Sequence, residues 1–271
     1  MSHARSSAVG FRPLVHAMVL LAGLGATVST QAPQALAAPD GEVHLGDVIP
    51  FGNGTARSWV EVDGAGHPVS VGITLTEAAL EGLAADVTPG MIWTVEYILH
   101  FPRDIEGLPF DHVGVNWNPK GHPPPGIYSP PHFDFHFYTV STDMRSRITA
   151  RGPDLERCRA TPAAGHLPAS YVYAPESEEP GMGGHWIDPG SHEFHGQPFT
   201  STFIFGTYDS EVIFWEPMIT KAYLESRPSM STPIPAPDAY ARPGYYPTSY
   251  KVHYDTPRKE YVVALDGMTL R

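Results

Sequence analysis

The sequence predicts a mainly β protein: a single sandwich- or barrel-like antiparallel domain with one or two short helices and long Pro/Gly-rich loops. Three observations predict it. The 271 residues include 29 Pro and 26 Gly, evenly enough spread to break any long helix. Short runs rich in aromatic and β-branched residues recur between those breaks, as short strands require. One run, Phe133 to Val140, alternates Phe with polar side chains as far as Tyr138, the period of a strand.

The first 37 residues read as an address. Arg5 and Arg12 flank an apolar run from Leu14 to Val28, and Ala35-Leu36-Ala37 offers the small-x-small pattern of a cleavage site. A signal peptide over residues 1–37 is therefore expected, followed by one β-rich domain over 38–271. The run is shorter than the roughly 20 apolar residues of a spanning helix, and no later stretch reaches that length. The expected location is secreted or periplasmic, with no stable membrane anchor.

From there the elements follow in order. Phe51 to Thr55 is turn material. Arg57 to Val62 and Pro68 to Leu75 form a hairpin across Asp63-Gly64-Ala65-Gly66. Thr76 to Leu83 reads as a short helix capped by Thr76 and ended at Gly82. Met91 to Phe101 and His112 to Trp117 are strands, and the five prolines between Lys120 and Pro131 make a loop. After the Phe133 to Val140 strand, an acidic Pro/Gly-rich stretch, Ala174 to Gly184, leads into His185-Trp186-Ile187. Phe199 to Tyr208 and Glu211 to Trp215 pair across Tyr208-Asp209-Ser210. Pro217 is placed at the first turn of a helix running to Leu224. Pro228 to Pro243 wraps the domain, and Tyr245 to Tyr254 with Glu260 to Leu265 closes it.

Charge excludes one class of partner. The chain carries 17 Lys and Arg against 29 Asp and Glu, net −12, and loss of Arg5 and Arg12 with the leader makes it more negative still. Such a surface repels phosphate backbones, so nucleic acid is not an expected partner, whereas divalent cations are compatible with it. Cys158 is the only cysteine, so no disulfide forms within the chain and a buried, idle thiol is expected.

The chemistry concentrates in His132-Phe133-Asp134-Phe135-His136-Phe137-Tyr138. Alternation puts His132, Asp134, His136 and Tyr138 on one face of a strand and three phenylalanines on the other. A buried face tolerates His-Asp-His only if the groups are paired or bind metal. Successive members of that face are roughly 6.7 Å apart at Cα, close enough for two to meet one ion, whereas His132 and His136 are roughly 13 Å apart. A neighbouring pair is therefore expected to bind, His132 with Asp134 or Asp134 with His136, completed from elsewhere. His185 is the first candidate partner, and His122 in the proline loop is another. Glu193 is a candidate further ligand, hydrogen-bond partner or catalytic base. The expected cofactor is a divalent metal, zinc above others. A hydrogen-bonded polar ladder without metal explains the same residues.

Weaker patterns stand beside this one. His192-Glu193-Phe194-His195 is one residue short of the helical zinc-protease motif and lies among Pro and Gly. His132-Phe133-Asp134 matches the short ligand pair of facial-triad iron oxygenases, but no arginine follows His185 closely to hold a co-substrate. Trp117, Tyr128, Tyr138, Trp186, Trp215, Tyr245 and Tyr246 could line a groove for a sugar or other small molecule.

Several segments together resemble a known family. They are Gly54 to Trp59, Glu77 to Leu83, Gly121-His122-Pro123-Pro124, Pro131 to Tyr138, Gly183 to Trp186, Glu216 to Thr220 and Gly244 to Pro247. Their order resembles a family of exported bacterial proteins typified by a Thermus protein under extracytoplasmic sigma-factor control, over about Gly41 to Arg271. The resemblance implies a β-rich exported protein, and it assigns neither metal, substrate nor catalytic residue. Two functions stay open at this point. One is a metal protein, in which bound water could serve a hydrolase or lyase reaction. The other is a non-enzymatic binding or assembly module of envelope stress, homo-oligomeric, with a structural His-Asp-His face.

Overall fold

Strands follow one another almost without relief. The structure, a computed structural model, describes residues 41–87 and 94–271, which belong to one compact unit, Ala38–Arg271. The expected leader and the first residues of the Met91 strand lie outside the described residues.

The strands are β1 (Glu42–Phe51), β2 (Gly54–Val62), β3 (Pro68–Thr76), β4 (Val95–His100), β5 (His112–Asn118), β6 (His132–Tyr138), β7 (Val172–Tyr173) and β8 (Gly184–Ile187). They continue as β9 (Ser201–Tyr208), β10 (Glu211–Thr220), β11 (Ser229–Pro233), β12 (Tyr245–Tyr246), β13 (Ser249–Asp255), β14 (Glu260–Asp266) and β15 (Thr269–Leu270). The helices α1 (Thr142–Arg145), α2 (Asp154–Cys158) and α3 (Lys221–Glu225) are each about one turn long. A six-stranded sheet runs β1-β2-β3-β14-β13-β11, a seven-stranded sheet runs β4-β5-β6-β10-β9-β8-β7, and β12 pairs with β15. Every pairing between these strands is antiparallel. The fold is a sandwich: both sheets are open, and one apolar core joins Val60, Ile73, Leu75, Val252 and Val263 of the first to Val115, Phe133, Phe135, Phe137, Phe205 and Trp215 of the second.

Alternation explains which residues enter that core. In β2, Ala56, Ser58, Val60 and Val62 are buried, and Trp59, out of phase, lies half-buried on the other face with its indole N–H on Thr74. In β6 the phenylalanines take the sandwich side, yet every residue of the strand is buried. Its polar side is the outer face of the seven-stranded sheet, and loops cover it. Two smaller apolar clusters mark this cover. One gathers Tyr138, Ile148, Cys158, Tyr208, Ile213 and Phe214, and the other Tyr128, Phe199, Ile204 and Met218.

Two expectations are corrected. Pro217 does not open a helix. It sits inside β10 opposite Phe203, and the β6–β10 ladder skips from Trp215–Phe137 to Met218–Asp134 around this residue without an N–H. The helix begins later, at Lys221, where the Thr220 hydroxyl accepts from the Tyr223 N–H. Thr76 does not cap the segment after β3, which is a single 3-10 turn, Glu77–Leu80. Its hydroxyl instead accepts from the Thr55 N–H at 3.0 Å, across the hairpin. Beyond these two, β1 forms ahead of the expected turn, which lies at Gly52 and Asn53, over residues to which the sequence assigned no element. It pairs with β2, leaving Val43, Leu45 and Val48 exposed along an edge.

Candidate metal centre

The polar face of β6 is built by register. Asn118, Asn116, Gly114 and His112 of β5 stand opposite His132, Asp134, His136 and Tyr138. On the other side, Thr220, Met218 and Phe214 of β10 stand opposite His132, Asp134 and Tyr138, which leaves Glu216 beside His136. Two strands beyond β10, His185 of β8 pairs with Gly206 of β9, itself opposite Phe214. A Cβ on Gly206 would come within 1.8 Å of the Phe214 ring, so only glycine lets that ring lie across β9. There it packs against His136 at 4.8 Å and His185 at 5.3 Å between ring centroids.

Two groups result among the described residues. His122, His132 and Asp134 form one, and His136, His185 and Glu216 the other. Within each, one ligand atom from every residue lies within 4.8 Å of the others. The five histidine and aspartate candidates thus all reach the face, but they divide between two groups. His122 folds back from its loop onto the His132–Asp134 pair, while His185 joins His136. Glu193 belongs to neither group. It is buried, and the Tyr128 hydroxyl donates to its Oε1 at 3.2 Å. The Tyr128 ring in turn stands edge-on to His122, with centroids 5.7 Å apart.

Sequence reasoning missed Glu216. Its signal was a lone carboxylate in the apolar run Val212 to Ile219, hidden by the helix assigned from Pro217. Asn118 was also missed. It is buried and donates from Nδ2 to Asp134 Oδ2 at 2.7 Å, fixing the carboxylate.

The imidazoles are oriented by backbone. His122 Nδ1 lies 2.7 Å from the Pro123 carbonyl, His132 Nδ1 2.7 Å from that of Pro130, and His185 Nδ1 2.7 Å from that of Ser177. A carbonyl has no proton to give, so each Nδ1 must donate. Each neutral ring therefore offers its Nε2 lone pair, the arrangement that second-shell contacts impose on metal-binding histidines.

The inward atoms are then left over. His132 Nε2 and Asp134 Oδ1 are 3.2 Å apart, and His122 Nε2 is 3.4 Å from Asp134 Oδ2. His136 Nε2 and Glu216 Oε1 are 3.3 Å apart. Charge-assisted hydrogen bonds between imidazolium and carboxylate close to about 2.7–2.9 Å. Two ligands of one tetrahedral zinc, each about 2.0–2.2 Å from it, stand about 3.3–3.5 Å apart. Asn116 Oδ1, His132 Nε2, Asp134 Oδ1, His136 Nδ1, Tyr138 Oη and Glu216 Oε2 are all buried without a hydrogen-bond partner among the described residues, as is Glu193 Oε2. Buried orphans are normally few and scattered. Six of these share one face of β5, β6 and β10.

Charge differs between the groups. Burial opposes ionisation of Asp134, but His132 and His122 outweigh it and hold the carboxyl well below its usual range. Burial likewise disfavours a charged His122, and Asp134 outweighs that, raising its pKa. In the second group burial dominates. It drives His136 down to about 3 and His185 to about 4, and together with the charge of Asp134 it pushes Glu216 well above the carboxylate range. Without a cation, the first group is ionic and the second neutral.

The end of the face is closed by a satisfied network. Arg145 is buried over the Tyr138 ring at 3.8 Å and donates to Glu96 at 2.5 Å, to His112 Nε2 at 3.1 Å and to the Gly181 carbonyl at 3.0 Å. His112 Nδ1 then donates to Asp111 at 2.8 Å. Each of the three guanidinium nitrogens of Arg145 thus has a partner, which suits a structural role. The aromatic groove does not form as one surface: Trp117 and Trp215 lie in the sandwich core, while Tyr128 and Tyr138 belong to the covered face. Cys158 is buried, and burial pushes its thiol up to about 11, leaving it inert.

The fold and site together define a class: an open antiparallel β-sandwich with buried His/carboxylate groups placed to bind a metal ion. Within it, residues 63–117, from the β2–β3 turn through most of β5, match the family model described as TTHB210-like, hypothetical protein TTHB210. The matched segment contains Asn116 but stops short of His122 and all of β6. No curated protein and no solved structure matches the chain. Among the described residues, no helix is long and apolar enough to cross a membrane.

Proposed function

We propose that this chain is an exported metal protein whose primary centre is a divalent cation, zinc by preference, held by His122 Nε2, His132 Nε2 and the Asp134 carboxylate. One observation carries the reading: His132 Nε2 and Asp134 Oδ1 are buried 3.2 Å apart with no hydrogen-bond partner among the described residues, although the other ring nitrogen is pinned to a carbonyl. Leaving such atoms unpaired costs about 1–3 kcal/mol each, more when charged. An ion between them removes that cost.

Three protein ligands leave a tetrahedral ion one open position, the count of catalytic rather than structural zinc sites. Access is by way of His122, whose side chain is 22% exposed, while those of His132 and Asp134 are 0% and 7% exposed. A zinc ion held there would supply a water of lowered pKa, chemistry that suits a hydrolase or lyase reaction. Glu193, held by Tyr128, is the candidate base on this side of the sheet.

The test is elemental analysis of protein prepared without chelators. Wild type should carry zinc or another first-row divalent ion, and both His132→Ala and Asp134→Asn should lose the ion at this centre. Wild type that contains no such ion, and takes up none from added zinc, would overturn the reading.

A further inference from the structure

The outer face holds more unsatisfied polar atoms than one ion at His122, His132 and Asp134 can absorb. On the neighbouring rungs of the same face, His136 Nε2 faces Glu216 Oε1, and Oε2 of that carboxylate is buried without a hydrogen-bond partner among the described residues. His136 and Glu216 are each 1% exposed. Their ligand atoms cluster with one from His185 and do not cluster with the first group.

We propose that His136, His185 and Glu216 hold a second divalent cation, distinct from the first. The donor set is two imidazoles and one carboxylate, as in the first group, and suits zinc, cobalt(II) or iron(II). All three donors stand on strands, β6, β8 and β10, so the sheet itself fixes their spacing. The Ser177 carbonyl fixes the His185 ring so that Nε2 is the atom offered. Phe214, admitted by Gly206, packs against both imidazoles and restricts their rotation. The separation of 3.3 Å between His136 Nε2 and Glu216 Oε1 is that of two ligands on one ion.

One ion cannot serve both groups. Strand geometry sets His132 and His136 roughly 13 Å apart at Cα, too far to share a cation without leaving their rotamers. Two ions on one sheet face instead give the polar layer one cation for each carboxylate, Asp134 and Glu216.

The experiment is a cobalt(II) titration of chelator-treated full-length protein, read by visible absorption and by ion content after dialysis, then repeated with zinc. Wild type should bind two equivalents. Glu216→Gln, which keeps the side-chain shape, and His185→Gln should each bind one, while Asp134→Asn should keep the second equivalent and lose the first. Wild type saturating at one equivalent that Glu216→Gln leaves unchanged would overturn the second site and leave the first standing. One equivalent lost in Glu216→Gln but kept in Asp134→Asn would do the reverse. No binding to wild type would overturn both. The wild-type stoichiometry decides the matter even if a variant fails to fold.

Discussion

At the scale of single residues, His132, Asp134, His136 and Glu216 are buried before any ion arrives. In the metal-free protein His136 and His185 are held neutral by burial, at about 3 and about 4 against an ordinary 6.5. The unfolded chain therefore binds more protons than the folded one below 6.5, and these two groups cost stability as pH falls toward 4. Glu216 runs the other way. Its folded value lies well above 4.5, so its contribution is fully present below 4.5 and is lost as pH rises through the folded value. The two effects oppose each other near pH 5–6. Glu216→Gln removes only the second, so the melting temperature of the metal-free variant should fall more steeply between pH 7 and 5 than that of metal-free wild type. A shallower slope in differential scanning calorimetry would show that Glu216 ionises on folding. Much of this was legible in the sequence: His132, Asp134, His136, His185 and His122 stand out as ionisable groups among Pro, Gly and Phe. Their division into two groups was not, because it depends on which strands lie beside β6.

At the scale of elements, β6 is the part the sequence states most clearly, since strict alternation of Phe with His and Asp admits only a strand with two unlike faces. The β2–β3 and β9–β10 hairpins were equally legible. Asp209 and Ser210 both take positive φ, the backbone of a tight hairpin turn. Glu216 was hidden by local preference: proline suits the first turn of a helix, and only pairing on both sides of β10 overrides that. The helices α1 and α2 went unseen because a single turn leaves no periodic trace. Gly206 is the element-level device behind the second group. Gly206→Ala would drive a methyl into the Phe214 ring, and overpacking of this kind costs about 1–3 kcal/mol. Denaturant unfolding should show that loss, and Gly206→Ala/Phe214→Leu should recover part of it. An unchanged midpoint in Gly206→Ala would mean that Phe214 is not held against β9.

At the scale of the molecule, a sandwich usually keeps one buried face per sheet, yet here the central strands of the seven-stranded sheet, β5, β6 and most of β10, are buried on both. Its inner face packs the apolar core. Its outer face lies under loops that the sequence marks only as Pro- and Gly-rich, and those loops bring in His122, Tyr128, Arg145 and Glu193. A sandwich or barrel followed from strand number and alternation, and the two open sheets decide for the sandwich. The covered polar layer did not follow, because loop paths have no period to read. A layer with so many unpaired polar atoms should be stabilised by whatever fills it. The most direct measurement is an anomalous difference map at the zinc edge from crystals of protein prepared without chelators and soaked in zinc. The account predicts a peak about 2.0–2.2 Å from His132 Nε2 and an Asp134 oxygen. Well-ordered density for both side chains, bridged only by water and with no anomalous peak, would contradict it.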